Sequence, residues 1–541
     1  MSTPTVPHVY LEPARPGPDG AYALHAGGGR VERLADILRR RAAATPGLPA
    51  VIEPGRTTTF GELDARASRV ARALLADGVG AGDRVAYIGA NAASFLEVLY
   101  GTAKIGAIAT AVNNRLATGE VAQILADAEP SVLVLGSGDG GLREAAGPRT
   151  RVVTLDGDPG TTSYGSWLDG HGDTDPGAEP DPEDTAVIFY TSGTTGLPKG
   201  IMLSGRNLGQ ALATMHRDLG MDRTSVAMAP IPYFHVSGFG LAMVATLNGA
   251  ALLLEHATAP AELRDLLIER RVSHAALVPT LLQRLVALPG VGDCDWSALK
   301  YVVYGSSPIP LPVIHRATEL IGCRFLQSYG LTESTGGVTV LRPEDHLPEP
   351  GQEHRLRSAG RLMPGVPARI VDPETLTDLP PGRRGEVLIG GGHVMKGYWR
   401  RPAENAATLL PGGWLRTGDG GSFDEDGFLY LHDRIKDMIV SGGENVYPAE
   451  VESVLTGHPS VAEVAVIGVP SERWGEVPYA VVVLRPDAAP LPPAELIAWT
   501  RERLAHFKCP AGVRFVEALP RNASGKLLKN RLREDHRSTR A

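Results

Sequence analysis

Blocks of apolar and polar positions follow one another along the first part of the chain and predict strands and helices in turn. Short apolar runs typical of buried strands lie at residues 84–89, 107–112 and 131–135. Apolar side chains recur at helical spacing over residues 31–44, 94–105 and 121–126. Because strands that alternate with helices pair in parallel, this order predicts an α/β fold with parallel sheets.

The pattern changes after residue 136. Residues 137–184 are rich in Gly, Asp and Pro and predict a loop-rich stretch. Further strands are predicted near residues 186–190, 250–254, 301–304, 385–390 and 427–431. The C-terminal part mixes both patterns, with helices predicted at 448–455 and 494–507 and strands at 461–468 and 479–484. We therefore expect an irregular leader (1–30), a large domain (31–433) and a small α+β domain (434–541).

Composition narrows the range of functions. The chain has 541 residues and a formal net charge of −8 at pH 7. The absence of a basic excess argues against nucleic-acid binding through neutralised phosphates. Cys294, Cys323 and Cys509 are widely spaced and form no CxxC pair, which argues against a structural zinc site or a disulfide framework and suits a reducing compartment.

The N-terminus has no apolar core of the kind found in signal peptides. The longest apolar stretch, residues 240–254, is interrupted by Asn248 and Gly249 and is too short to span a bilayer. We expect a cytoplasmic protein without a transmembrane segment.

The segment YTSGTTGLPKG, residues 190–200, follows the apolar run AVIFY and suits the binding of phosphate groups. Its glycines let backbone N–H groups approach an anion, and its hydroxyls and lysine add donors and a positive charge. The predicted phosphate-binding residues are Thr191, Ser192, Gly193, Thr194, Thr195, Gly196 and Lys199. A Walker A loop would need Ser or Thr after the lysine, and Gly200 stands there, which argues against a conventional P-loop NTPase.

This segment closely resembles the phosphate-loop signature of the adenylate-forming superfamily. That superfamily contains acyl-CoA synthetases, the adenylation domains of nonribosomal peptide synthetases, and firefly luciferases. Further segments resemble its other motifs in the same order: QSYGLTES (327–334), WLRTGDG (414–420), DRIKDMIVSGGENV (433–446) and PRNASGKLL, which begins at Pro520. The resemblance covers residues from about 30 to 530 and implies a large multi-layer domain with a small, mobile C-terminal domain.

The resemblance also implies roles in ATP binding. Tyr329, with Gly330 beside it, would stack on adenine, and Thr332 would donate to the α-phosphate. Glu333 would bind Mg²⁺, and Asp419 would accept hydrogen bonds from both ribose hydroxyls. Arg434 is expected near the ribose or the phosphates. The catalytic residues implied are Lys526, Thr332, Glu333 and Lys199, with Lys526 neutralising charge between the carboxylate and the α-phosphate.

For the acid, the resemblance of PYFHVSGF and YGSSP to the family's acyl-pocket segments implies a pocket formed by His235, Val236, Gly238, Phe239, Tyr304, Gly305, Ser306 and Leu331. Many relatives carry Gly-Gly-Ala-Pro where this chain has serines at 306 and 307, which leaves the shape of the pocket open. The hinge and the path of coenzyme A are expected to involve Lys436, Gly442, Gly443 and Trp474.

The expected activity is ATP-dependent conversion of an aryl or fatty acid to an acyl-adenylate with release of pyrophosphate, followed by thioester formation with coenzyme A. ATP, Mg²⁺ and coenzyme A are the expected cofactors, and a small carboxylic acid is the expected partner. A carrier protein, or nitrite in an ATP-dependent diazotase of an aryl amine acid, stays open as the acceptor. A homodimer also stays open. A scaffold without catalysis is disfavoured because Glu333 and Lys526 are both present.

Overall fold

A computed structural model of the protein describes residues 33–158, 160–192, 198–257, 259–307, 309–434, 437, 439–441, 444–446, 448–471, 473–486, 488–489, 491–521 and 527–540. The predicted leader, residues 1–30, lies outside the described residues.

The strands are β1 (Pro49–Glu53), β2 (Arg56–Thr59), β3 (Arg84–Ile88), β4 (Ile108–Val112), β5 (Val132–Leu135), β6 (Arg151–Thr154), β7 (Thr162–Ser163), β8 (Thr185–Ser192), β9 (Pro198–Ser204), β10 (Val226–Met228), β11 (Ala251–Leu253), β12 (His274–Leu277), β13 (Tyr301–Gly305), β14 (Arg324–Leu331), β15 (Gly336–Leu341), β16 (Arg361–Leu362), β17 (Ala368–Val371), β18 (Gly385–Ile389), β19 (Gly397–Tyr398), β20 (Leu409–Leu410), β21 (Trp414–Phe423), β22 (Leu429–Arg434), β23 (Ile439–Ser441), β24 (Glu444–Val446), β25 (Val461–Ser471), β26 (Gly475–Leu484) and β27 (Val513–Phe515).

The α-helices are α1 (Leu34–Ala44), α2 (Phe60–Ala76), α3 (Ala93–Ala103), α4 (Thr118–Ala128), α5 (Tyr164–Leu168), α6 (Gly205–Leu219), α7 (Val236–Asn248), α8 (Pro260–Glu269), α9 (Pro279–Val286), α10 (Leu311–Ile321), α11 (Pro402–Thr408), α12 (Pro448–Thr456), α13 (Pro493–Arg501) and α14 (Lys529–Arg540).

Two large sheets dominate the N-terminal part. The first has eight strands in the order β19-β9-β8-β4-β3-β5-β6-β7, and the run from β8 to β7 is parallel. The second has nine strands in the order β16-β15-β14-β13-β12-β10-β11-β1-β2, and the run from β14 to β1 is parallel. Parallel strands covered on both faces should be continuously apolar, and β4 and β5 are buried along their whole length.

Helices cover both faces of these sheets. The largest apolar cluster joins α1, α2, α3 and α7 to side chains from both sheets, so these helices form a layer between them. A second cluster packs α8, α9 and α10 on the outer face of the nine-stranded sheet. A further cluster packs α4 on the outer face of the eight-stranded sheet. The result is a multi-layer α/β domain, which confirms the predicted fold class.

Two smaller sheets follow. The third sheet has five strands, β17, β18, β20, β21 and β22, all paired in antiparallel fashion. The fourth consists of β23 to β27, and α12 and α13 pack on it. This small α+β unit agrees with the predicted C-terminal layout, while the boundary at residue 433 stays a prediction. None of the described helices is both long and apolar enough to cross a membrane.

The loop-rich character predicted for 137–184 is confirmed, since β6, β7 and the short α5 occupy only a small part of that stretch, and β6 and β7 extend the edge of the first sheet. One local prediction was wrong. The helix predicted over 494–507 ends at Arg501. The chain turns there, with the N–H groups of Arg503 and Leu504 donating to the carbonyl of Thr500, and then enters β27.

Candidate active site

The predicted ATP residues Thr332 and Glu333 lie just beyond the carboxyl end of β14. In open parallel sheets, ligands bind outside this edge. A single 3₁₀ turn, Thr332–Ser334, reverses the chain into β15. The Ser334 hydroxyl closes the turn, because it accepts from the Leu331 N–H at 2.9 Å and donates to the Leu331 carbonyl at 3.1 Å. The backbone that presents Glu333 is therefore fixed by local hydrogen bonds.

Tyr329 and Asp419 meet directly. The Tyr329 hydroxyl donates to the Asp419 carboxylate at 2.7 Å, although 90 residues separate them in the chain. Asp419 lies in β21 at an irregularity of its pairing with β22, and its N–H donates to the Thr417 hydroxyl at 3.0 Å. The proposed adenine and ribose partners are thus brought together by a contact between β14 of the second sheet and β21 of the third.

Lys199 lies near the start of β9, in the predicted phosphate-binding segment 190–200. β8 and β9 pair in antiparallel register, with Thr191 opposite Lys199 and Ser192 opposite Pro198. The predicted phosphate-binding residues Gly193, Thr194, Thr195 and Gly196 lie outside the described residues, as does the side chain of Ser192. The Lys199 ammonium lies 5.2 Å from the centre of the Tyr398 ring and 3.9 Å from the Glu404 carboxylate.

Tyr398 is a site residue that sequence reasoning missed. Its hydroxyl donates to Glu333 Oε1 at 3.0 Å, so one tyrosine contacts both Glu333 and Lys199. The sequence signal was the run GYWRRP, in which a glycine precedes two aromatic residues. Nothing in that run alone points to a carboxylate 65 residues earlier. We call Tyr329, Glu333, Asp419, Lys199 and Tyr398 the ATP side of the site.

His235 stands at the N-terminus of α7. Its ring packs against Phe234 at 4.7 Å between centroids, and its buried Nε2 has no hydrogen-bond partner among the described residues. Burial lowers the pKa of His235 to about 4, and the nearby Arg115 lowers it as well. The imidazole is therefore neutral at physiological pH.

Glycines allow close backbone packing at the ends of β13 and β14. A Cβ at Gly330 would lie 1.8 Å from the Gly336 carbonyl oxygen, and one at Gly305 would lie 2.3 Å from the Ser328 carbonyl oxygen. Val236 lies close to Gly336, because its Cγ2 would be 3.8 Å from a Cβ placed on that glycine. We call His235, Val236, Gly305 and Gly330 the acid side of the site.

The other predicted pocket residues differ in position. Leu331 is half-buried, and Ser306 is exposed with a left-handed φ of 67°. Gly238 is buried, where a Cβ would lie 2.5 Å from the Ile231 carbonyl oxygen. Phe239 is 1% exposed and packs edge-on against Phe189, within the layer between the sheets.

Tyr304 is also 1% exposed and belongs to the cluster on the outer face of the nine-stranded sheet. Its hydroxyl lies 2.9 Å from His346 Nε2. The acyl-pocket roles of these residues stay predictions, but the side chains of Phe239 and Tyr304 are held within apolar clusters.

The predicted residues of the hinge and small domain are only partly described. Lys436, Gly442, Gly443 and Lys526 lie outside the described residues. The backbone of Arg434 pairs with Asp419, and its side chain is not among those described. Trp474 is 46% exposed, and the Arg473 guanidinium lies 4.7 Å from the centre of its ring.

The ATP side could hold a magnesium ion through one carboxylate together with the phosphates of ATP. Among the residues that the structure describes, no group of three or more His, Cys, Asp or Glu side chains could form a metal cage. Mg²⁺ in nucleotide enzymes typically takes one or two carboxylates and completes its shell with phosphates and water. Glu333 offers such a carboxylate beside Lys199, so the donor set fits a metal bound together with ATP.

Comparison with known proteins agrees with this geometry. The sequence profile of the AMP-binding enzyme family matches residues 38–399, and that of the AMP-binding enzyme C-terminal domain matches residues 450–526. The chain belongs to the AMP-binding enzyme family. This confirms the predicted resemblance and the predicted class of enzyme, an adenylate-forming ligase of acids.

Individual members of the AMP-binding family are similar over nearly their whole length. A fatty acid–[acyl-carrier-protein] ligase of Streptomyces coeruleorubidus is 39% identical, covering 93% of this chain and 96% of that protein. A feruloyl-CoA synthase of an Amycolatopsis species is 38% identical, covering 91% and 97%. The structure of o-succinylbenzoate CoA synthetase of Bacillus subtilis with its acyl-adenylate intermediate has a TM-score of 0.80 at 32% identity, covering 92% and 97%.

Proposed function

We propose that this enzyme activates an aryl or fatty acid with ATP and then transfers the acyl group to coenzyme A. The observation that carries the proposal is the convergence of the ATP side: Tyr329 meets Asp419, and Tyr398 joins Glu333 to Lys199. These contacts bring together motifs that are far apart in the chain.

In the first half-reaction, the substrate carboxylate attacks the α-phosphorus of ATP and the bond to the β-phosphate breaks. Asp419 holds the ribose, Thr332 donates to the α-phosphate, and Lys199 neutralises charge on the departing pyrophosphate. Mg²⁺, held by Glu333, would supply further charge neutralisation along the phosphates. Lys526 is proposed to donate to the reacting oxygens once the small domain closes.

In the second half-reaction, the thiol of coenzyme A attacks the acyl carbon and AMP leaves. Lys436, Gly442, Gly443 and Trp474 are proposed to form the hinge and the path for the thiol arm. The exposed position of Trp474 is compatible with contact to such an arm. The neutral, buried His235, whose ring packs against Phe234, supports an acid whose tail is uncharged.

A carrier protein is the second candidate acceptor. It is favoured by the 39% identity to a fatty acid–[acyl-carrier-protein] ligase. We propose a cytoplasmic location, which is supported by three cysteines that form no disulfide. A homodimer stays a prediction, to be checked by light scattering.

The test is acid-dependent exchange of labelled pyrophosphate into ATP, across a panel of aryl and fatty acids. Each active acid is then incubated with ATP and either coenzyme A or a phosphopantetheinylated carrier protein, and products are identified by mass spectrometry. We expect exchange with one class of acid and a thioester with coenzyme A. Exchange that leads to a thioester only on the carrier protein would assign the second candidate. Exchange with neither thioester would overturn both acceptors.

Lys526→Ala separates the two half-reactions. We expect it to slow pyrophosphate exchange by about 10²- to 10³-fold, as loss of one donor to a developing charge does. Transfer from a supplied acyl-adenylate to coenzyme A should change less than threefold. Lys508→Ala is the matched control, because Lys508 lies in the same small domain and pairs with Glu450 at 2.7 Å.

A further inference from the structure

The segment 395–401, MKGYWRR, joins two ATP-binding motifs that no sequence spacing connects. We call it the clamp segment. On one side, β19 pairs with β9 so that Tyr398 lies opposite Ile201. The N–H groups of Lys396 and Trp399 donate to the carbonyls of Met202 and Gly200 at 3.0 and 2.7 Å. The clamp segment therefore adds a strand, β19, to the hairpin of β8 and β9, which carries the predicted phosphate-binding residues.

On its other side the clamp segment holds the turn that presents Glu333. The Met395 N–H donates to the Glu333 carbonyl at 2.9 Å. Just before the segment, the Thr335 hydroxyl donates to the His393 carbonyl at 2.7 Å. The backbone carrying the predicted metal ligand is thus attached to the same segment as the strand that carries Lys199.

Further contacts anchor the C-terminal half of the clamp segment. The Trp399 indole donates to the Asp127 carbonyl at 3.1 Å, and the Asp127 carboxylate pairs with Arg401 at 2.9 Å. The same carboxylate accepts from the Tyr190 hydroxyl at 2.7 Å, at the start of the phosphate segment. The backbone of Tyr398 is held by Asn405, whose side chain bonds both its N–H and its carbonyl.

Within this framework Tyr398 is buried, with 8% of its surface exposed. Its hydroxyl lies 3.0 Å from Glu333 Oε1, and its ring centre lies 5.2 Å from the Lys199 ammonium. A hydroxyl donor fixes the direction of a carboxylate, and an aromatic face attracts a cation. One rigid side chain therefore contacts the negative and the positive group that are proposed to receive ATP with its metal.

We propose that Tyr398 is a positioning residue for the binding of metal and ATP. Its hydroxyl orients the Glu333 carboxylate and its ring orients Lys199, so that both charges are in place before the nucleotide arrives. This inference rests on the proposed function, because it assigns Glu333 and Lys199 to the metal and the phosphates.

The decisive variant is Tyr398→Phe, which keeps the ring and removes the hydroxyl. Loss of a group that orients a metal ligand typically costs about 10- to 100-fold in metal affinity. We expect the Mg²⁺ concentration for half-maximal pyrophosphate exchange to rise about tenfold. The rate at saturating Mg²⁺ should change less than threefold. Mn²⁺ binding in the presence of ATP, followed by electron paramagnetic resonance, should weaken by the same factor without any turnover.

Tyr301→Phe is the matched control. The Tyr301 hydroxyl accepts from Arg324 at 2.8 Å, at the other end of the strand that leads to Gly305. We expect its Mg²⁺ dependence to equal that of the unsubstituted enzyme. Tyr398→Leu also removes the ring, so it should additionally weaken the binding of ATP without metal about threefold, the loss of one cation–π contact.

A double-mutant cycle tests whether the hydroxyl acts through Glu333. In the Glu333→Gln background, Tyr398→Phe should weaken Mn²⁺ binding less than twofold further. Full additivity, or a Tyr398→Phe variant with unchanged Mn²⁺ and Mg²⁺ dependence and an unchanged melting temperature, would overturn the role of Tyr398. Absence of acid-dependent exchange in the unsubstituted enzyme would instead overturn the proposed function, and the Mn²⁺ measurement would still decide the role of Tyr398.

Discussion

The two sides of the site are built by different means. The ATP side consists of charged and hydroxyl groups that hold one another, as Tyr329 holds Asp419 and Tyr398 holds Glu333. The acid side contains a neutral histidine and glycines that let neighbouring backbone segments pack closely, since a Cβ on Gly330 or Gly305 would meet a carbonyl oxygen. Polar groups that must meet a fixed ligand need exact partners, whereas an apolar tail needs only volume. The ATP side should therefore respond to loss of single atoms, and the acid side to added or removed bulk.

The largest effect should come from Asp419→Ala. It removes a carboxylate that would accept two ribose hydrogen bonds and leaves the Tyr329 hydroxyl without its 2.7 Å partner. Hydrogen bonds to charged groups contribute about 1.5–3 kcal/mol each, so kcat/KM for ATP should fall about 10²- to 10⁴-fold. Asp426→Ala, which removes an exposed carboxylate paired with Arg355, should change it less than twofold. A loss below tenfold for Asp419→Ala would contradict the ribose assignment.

Gly330→Ala adds bulk where the two sides meet. Its Cβ would lie 1.8 Å from the Gly336 carbonyl, so β14 and β15 must move apart. Overpacking of this kind costs about 1–3 kcal/mol in the free energy of unfolding. A displacement of about 1 Å at Glu333 should lower the exchange rate about 100-fold. Gly119→Ala, whose Cβ would meet nothing within 4 Å, should keep both activity and melting temperature. An active, stable Gly330→Ala variant would show that β14 and β15 accommodate the added Cβ.

His235→Ala should act on the acid alone. Loss of one contact surface in an apolar pocket changes discrimination about 10-fold, so KM for the acid should rise by that factor. KM for ATP should stay within twofold, because the buried Nε2 of His235 has no hydrogen bond to the described residues of the ATP side. Equal changes in KM for the acid and in KM for ATP would contradict the division of the site into an acid side and an ATP side.

The pKa of the same histidine predicts a dependence of stability on pH. Its pKa is about 4 in the folded chain and about 6.5 when unfolded, chiefly because burial disfavours the charged ring. The unfolded chain therefore binds the proton first, and stability is lost as the pH falls from about 6.5 towards 4. The melting temperature of His235→Asn should fall less between pH 7 and pH 5 than that of the unsubstituted enzyme. An identical fall in both would mean that His235 does not titrate in this window.

The smallest effect is expected from Tyr304→Phe. The hydroxyl contacts His346 at 2.9 Å on the outer face of the sheet, away from the acid side. Loss of one buried hydrogen bond should lower the free energy of unfolding by about 1 kcal/mol. KM for the acid should not change, in contrast to His235→Ala. A changed KM would show that the Tyr304 hydroxyl influences the acyl pocket, in which the sequence motif places Tyr304.

Much of the fold followed from periodicity, and the misses have physical causes. Apolar runs of four or five residues identified β3, β4 and β5 because strands in a parallel sheet are buried on both faces. β7 was not found because it has two residues and forms only on the edge of a sheet that already exists. The end of α13 was misplaced because the turn after Arg501 is decided by the path into β27 rather than by local preference.

The candidate site, like the fold, was only partly predictable from the sequence. Tyr329, Glu333, Asp419 and Lys199 were predicted from short motifs that resemble those of the family, and their roles stay predictions. Tyr398 was not identified, because its role depends on the pairing of β19 with β9, almost two hundred residues earlier.

The sequence by itself determined the family and the α/β class, because strand periodicity and the family's motifs are local in the chain, and it predicted residues for ATP binding. Only the tertiary structure decided which groups hold those predicted residues and which predicted pocket residues lie inside apolar clusters. Tyr304 illustrates the reason: alternate residues of a strand point to opposite faces, so Tyr304 enters the outer cluster while Val303 packs against the cluster that contains α7. These packing contacts join segments that are far apart in the chain, so they leave no local signal in the sequence.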